Sequence, residues 1–168
     1  MRLLDRLTRP ALAAATAFAL AATAALPAAA APQPGQKFGD WTVGCEQANG
    51  GQLCNISQMM QNPQAKQSIL VAIARPAQGD PQFLVRVPLG VILTEGVGVK
   101  VDEGKAVRLP FVQCMASGCQ TIVPMEADTI TKMKSGNTLN IIFVAPGGQP
   151  ITVPMSLKGF TAAFDGLK

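Results

Sequence analysis

Residues 41–54 read WTVGCEQANGGQLC, and this stretch decides the fold. Asn49-Gly50 is the preferred dipeptide for a two-residue type I′ turn between antiparallel strands. Centring a turn there sets Ala48 opposite Gly51, Gln47 opposite Gln52, Glu46 opposite Leu53 and Cys45 opposite Cys54. Directly opposed residues hold their Cβ atoms about 4.5–5.5 Å apart, and a disulfide needs about 3.5–4.5 Å. A non-hydrogen-bonded pair closes that gap. Turn chemistry and cysteine spacing therefore lead separately to a Cys45–Cys54 hairpin staple. Trp41, the only tryptophan, shares the strand face of Cys45 by period-2 parity and is expected to pack in the core beside it.

The chain has two more cysteines, Cys114 and Cys119, bracketing Met115-Ala116-Ser117-Gly118. A four-residue loop with a glycine again suits a hairpin. Four cysteines allow three connectivities. The local pairing, 45 with 54 and 114 with 119, is favoured because both bridges are within reach. Spacing does not fit paired zinc knuckles, nor a C-x-x-C redox pair.

Outward from these hairpins the pattern is mostly β. Runs rich in Val, Ile and Phe, divided by Gly/Pro/Asn/Asp clusters, mark strands at 40–46, 52–60, 67–75, 82–88, 97–102, 106–113, 119–124, 138–145 and 150–157. In 82–87, Phe83, Val85 and Val87 alternate with Gln82, Leu84 and Arg86. Gly39-Asp40 predicts a turn into the first strand, and Pro88 with Gly90 ends another. Gly104 and Gly147-Gly148 predict hairpin turns. Two short helices are expected, at 126–134 and 159–167, the second carrying Phe160, Ala163, Phe164 and Leu167 on one face. The expected architecture is a compact antiparallel β-sandwich or barrel-like single domain, with one or two short helices and two local disulfides.

The amino end has a different composition. Arg2, Arg6 and Arg9 precede an uncharged Ala/Leu run at 11–26, then Pro27 and Ala28-Ala29-Ala30. That is the layout of a secretory signal peptide over residues 1–30, with Ala28 and Ala30 in the A-x-A positions. The run is too short and too alanine-rich for a good membrane span. Residues 31–37 form a flexible lead-in, and the β domain is expected over 38–168. About 138 residues remain after cleavage, one domain's worth. The signal holds three of the fourteen basic residues and one of the ten acidic ones, so the remainder carries 11 against 9, or +2. There is no basic run for nucleic acid and no later stretch of membrane-spanning length. Export and an even cysteine count both indicate the periplasm or the outer surface.

The sequence contains no histidine. That removes Ser–His–Asp and Cys–His catalysis, and no G-x-S-x-G, P-loop or dinucleotide fingerprint is present. Paired carboxylates drawn from Asp40, Glu46, Glu95, Asp102, Glu103, Glu126 and Asp128 are the one enzymatic option, as in glycoside cleavage. Six methionines past the signal, including Met59-Met60, raise Cu(I) binding, although neighbours on one strand face opposite ways. No residue is assigned a catalytic, cofactor or metal role. The uncharged segment 58–67 (QMMQNPQAKQ), with Asn62-Pro63 as its turn, is a candidate binding loop.

These residues resemble the invasion-associated locus B (IalB) family of exported proteobacterial proteins. The match runs through Phe38-Gly39-Asp40-Trp41-Thr42-Val43 with Cys45, then Cys54, Val87-Pro88-Leu89-Gly90-Val91, and Gly96 with Val99-Lys100-Val101-Asp102. It continues at Pro110-Phe111, Cys114 and Gly118-Cys119, and ends on Val153-Pro154-Met155-Ser156-Leu157-Lys158-Gly159-Phe160. The resemblance spans about Phe38 to Leu167 and implies a β-sandwich-like domain, periplasmic or surface-exposed, without known catalytic chemistry. The family takes its name from a member linked to host-cell invasion, and related proteins also occur in non-pathogens. The functional expectation is a non-enzymatic binding or accessory protein of the envelope, with a protein or other envelope partner. An envelope-maintenance protein without a defined ligand is the alternative.

Overall fold

The computed structural model describes residues 32–48, 51–62, 67–75 and 79–167. Eleven strands are seen among them: β1 (Lys37–Phe38), β2 (Trp41–Ala48), β3 (Gly51–Asn62), β4 (Gln67–Ala74), β5 (Gln82–Val87), β6 (Val97–Val101), β7 (Val107–Leu109), β8 (Gln113–Met115), β9 (Gly118–Pro124), β10 (Thr138–Val144) and β11 (Pro150–Ser156). Helix α1 (Ala127–Ser135) lies between β9 and β10, and α2 (Phe160–Gly166) follows β11. A single 3-10 turn covers Leu93–Glu95.

The strands form two antiparallel sheets. One has seven strands in the order β1-β2-β3-β4-β5-β9-β8, the other four in the order β11-β10-β6-β7. Alternation puts Trp41, Val43, Ile56, Val71, Ile73, Phe83, Val85 and Val87 of the large sheet in one buried cluster with Val97, Leu139, Ile141, Phe143 and Met155 of the small one. The fold is thus mostly β and sandwich-like.

The first hairpin has the expected register, with Ala48 opposite Gly51 and Cys45 opposite Cys54. Asn49 and Gly50 themselves lie outside the described residues, as does the 1–30 segment. The Cys54 carbonyl accepts the Arg75 N–H on its β4 side, so Cys54 turns its backbone away from β2. The cysteines are therefore a non-hydrogen-bonded pair, the close kind. Their Cα atoms are 4.0 Å apart and the sulfurs are bonded. Cys114 and Cys119 are opposed in the β8–β9 hairpin, Cα atoms 3.9 Å apart, and are bonded likewise.

Three expectations need correction. The strand expected over 106–113 is two strands in different sheets: β7 pairs with β6, and β8 pairs with β9. Pro110 sits at the break, where a residue without an N–H cannot continue a ladder. Segment 58–67 is not a loop throughout, because β3 and β4 stay paired to Asn62 opposite Gln67; residues 63–66 are outside the described set. A short strand, β1, also precedes the Gly39-Asp40 turn and pairs with β2.

The amino-terminal and carboxy-terminal elements close on each other. Trp41 is fully buried, and its indole N–H donates to the Ser156 carbonyl at 3.1 Å. Its ring meets Phe160 edge-on at 5.3 Å, and Phe160 stacks on Phe164 at 5.5 Å. The Asp40 N–H donates to the Lys158 carbonyl. Gly39 (φ +58°) and Gly159 (φ +85°) let the two backbones pass so closely that a Cβ on either would overlap the other's main chain.

Candidate functional site

The two sheets do not meet along their whole length. A cleft of about 550 Å³ opens between the β5–β9 corner of the large sheet and the β6–β7 edge of the small one. Such a volume lies within the usual range of small-ligand sites, about 300–1,000 Å³. Phe83 and Val123 line it from the large sheet, and Val99, Val101, Val107 and Leu109 from the small one. Met125, at the junction of β9 and α1, completes the apolar floor.

Charged residues ring the mouth: Asp102 and Lys105 from the β6–β7 turn, and Glu126, Asp128 and Lys132 from α1. Local sequence explains their placement. Glu126 precedes the helix, Asp128 lies in its first turn and Lys132 and Lys134 in its last, each favourable to the helix dipole. Lys132 pairs with Asp128 one turn away at 2.5 Å. Asp102 is the one described non-glycine residue with positive φ, +46°. Its carboxylate accepts the Thr138 N–H at 2.9 Å and the Asn137 N–H at 3.1 Å, tying the β6–β7 turn to the start of β10. Lys105 and Glu126 form no ion pair among the described residues.

Of the seven carboxylates singled out from sequence, three therefore come to the cleft: Asp102, Glu126 and Asp128. Asp102 is occupied by backbone amides and Asp128 by Lys132. Glu95 pairs with Arg108 at 2.8 Å and Glu103 with Lys100 at 3.0 Å, both away from the cleft lining. Asp40 sits in the β1–β2 turn, and Glu46 is exposed on β2. Neither disulfide nor Trp41 lines the cleft. Met59 and Met60 are both exposed where β3 runs on past its pairing with β2, and the Gln61 amide donates to the Met59 sulfur at 3.5 Å.

Sequence reasoning missed the cleft because a cleft is a gap between sheets, and strand alternation reports only faces. One local signal bore on it. Pro110, inside an apparent strand, marks where the chain leaves one sheet for the other, and the cleft opens beside that crossing.

The model for the family described as invasion associated locus B (IalB) protein matches residues 41–168. An invasion protein B homolog of Brucella abortus (strain 2308) is 32% identical over 160 residues, covering 90% of this chain and 92% of its own. Invasion protein B of Bartonella bacilliformis is 23% identical over 136 residues, covering 79% and 73%. The crystal structure of invasion associated protein B from Bartonella henselae shares the fold, with a TM-score of 0.70 at 23% identity, over 79% of this chain and 92% of that one. With residues 41–168 matched by the family model and a relative 32% identical over 90% of its length, the chain belongs to the invasion associated locus B family.

Proposed function

We propose that this chain is an exported binding protein of the bacterial envelope and that the cleft between its sheets is the binding site. The observation that carries this reading is the apolar cleft itself: six strand residues and Met125 form an open floor with charged groups only at its mouth. A pocket of that composition holds an apolar group and orients it by a few polar contacts. Catalysis by paired carboxylates has weaker support, since Glu126 alone of the three cleft acids is unengaged and the chemistry needs two. Export is supported by the signal-like layout of residues 1–30 and by the two disulfides.

The test is native mass spectrometry on protein isolated from envelope fractions, beside a Val107→Trp variant that fills the mouth. A bound species of stoichiometric mass, absent from the variant, is expected. Clean apo-protein in both samples would favour the envelope-maintenance role. A host-facing role is a second reading, supported by the invasion names of the relatives in Brucella and Bartonella. Labelling of intact cells with a membrane-impermeant amine reagent decides it: modification of the protein places it outside, and protection until lysis places it in the periplasm.

A further inference from the structure

The cleft has a property that an apolar pocket for a small molecule does not need: its walls end in unpaired strand edges. β9 pairs with β5 from Cys119 to Pro124, but β8 covers only Gly118–Gln120 on the other side. The directions of the backbone groups follow from two hydrogen bonds. Just past β9, the Met125 N–H donates to the Pro81 carbonyl on the β5 side at 2.8 Å. The Gln120 carbonyl accepts the Val112 N–H on the β8 side at 2.9 Å. Backbone groups alternate in direction along a strand. Ile122, next to the lining residues Val123 and Pro124, therefore turns its N–H and C=O to the side away from β5, where no backbone hydrogen bond among the described residues reaches them.

β7 is likewise the last strand of its sheet. Its Leu109 carbonyl abuts Gly96 at the foot of β6, so Leu109 faces β6 and Arg108 faces outward. The contrasting edge, β11, carries Pro150 and Pro154 and borders no such cleft. Exposed strand edges are templates for another strand, and proteins usually blunt them with prolines, charge or cover. The β9 edge has one proline, Pro124, at its end, and beside it lies the apolar floor.

On the basis of the binding cleft above, we propose that its occupant is an extended peptide segment of a partner protein, added as a strand along Thr121–Pro124. Its backbone bonds to Ile122, and one large apolar side chain enters the space among Phe83, Val99 and Val123. Such strand addition takes its affinity from main-chain hydrogen bonds and its selectivity from alternate side-chain pockets. An acyl chain would fill the floor but leave the Ile122 amide and carbonyl unanswered. The unpaired Lys105 and Glu126 at the mouth complement a peptide with an acidic residue on one side of the apolar one and a basic residue on the other.

The probes are the capped octapeptide KTVTFTVE, its proline-broken counterpart KTVTPTVE, and laurate. Backbone NMR and amide hydrogen exchange on the full mature protein read the outcome. KTVTFTVE should slow exchange of the Ile122 amide at least tenfold and shift the Val123 resonance, and KTVTPTVE should bind at least tenfold more weakly. Ile122→Pro removes the outward N–H along with a half-exposed side chain, a change an edge strand tolerates, and should lower KTVTFTVE affinity at least tenfold. Should that variant fail to fold, Val107→Trp serves, at a side chain already 57% exposed. Equal binding of both peptides, or an unchanged Ile122 exchange rate, overturns strand addition. Laurate binding without peptide binding overturns it too but leaves the cleft as a ligand site. Failure of all three probes overturns both readings.

Discussion

Trp41 and Asp102 do their work by reaching residues far along the chain. Trp41 spans the interface between the first long strand and the last helix, its N–H on Ser156 and its ring on Phe160. Trp41→Ala removes the ring and leaves the Ser156 carbonyl without that donor. It should cost about 3–5 kcal/mol, within the range for large aromatic deletions, read as a lower urea midpoint at unchanged slope. Which way Trp41 faced was readable from its parity with Cys45. That its partner would be Phe160 was not, because alternation along a strand says nothing about which distant element covers it. Asp102 shows the same limit. Next to Glu103 and Gly104 it reads as an ordinary turn acid. Its grip on the Asn137 and Thr138 amides exists only once β10 has paired beside β6.

At the scale of elements, short-range chemistry was the most legible. An Asn-Gly dipeptide and a cysteine spacing were enough to give the β2–β3 register residue by residue. The Phe83, Val85, Val87 alternation likewise predicted a face that is buried in β5. The 106–113 run was misread because its apolar residues serve two sheets in turn, and periodicity carries no label for the sheet. The disulfides lend themselves to a direct comparison. Cys45→Ala/Cys54→Ala and Cys114→Ala/Cys119→Ala should each lower stability by about 2–3 kcal/mol, the loop-entropy value for such short closures. Urea denaturation measures both. Because each bridge lies inside one hairpin of the large sheet, the two losses should add, and the double-pair variant should show their sum.

At the scale of the whole molecule, no disulfide joins the two sheets, since both bridges lie within the seven-stranded sheet; they are held by packing and by contacts such as the Trp41–Ser156 hydrogen bond. Reduction should therefore lower the unfolding midpoint without separating the melting of the two sheets, which circular dichroism and near-ultraviolet signals would report as coincident transitions. Protein recovered from the envelope should begin at Ala31, checked by intact-mass measurement, with no thiol titratable before reduction. A start at Met1 would argue against cleavage.

The closure of the two ends bears on how the molecule is made. Asp40 and Trp41 are held by main-chain atoms of Lys158 and Ser156, and by the ring of Phe160. A polypeptide threaded amino end first through a narrow channel offers these early residues nothing to close against until the segment near 156–167 has followed them through. Contacts of such long sequence separation are slow to form. On the proposed export, then, the topology builds in a delay: the contacts that join the two ends can form only after the last segment has passed.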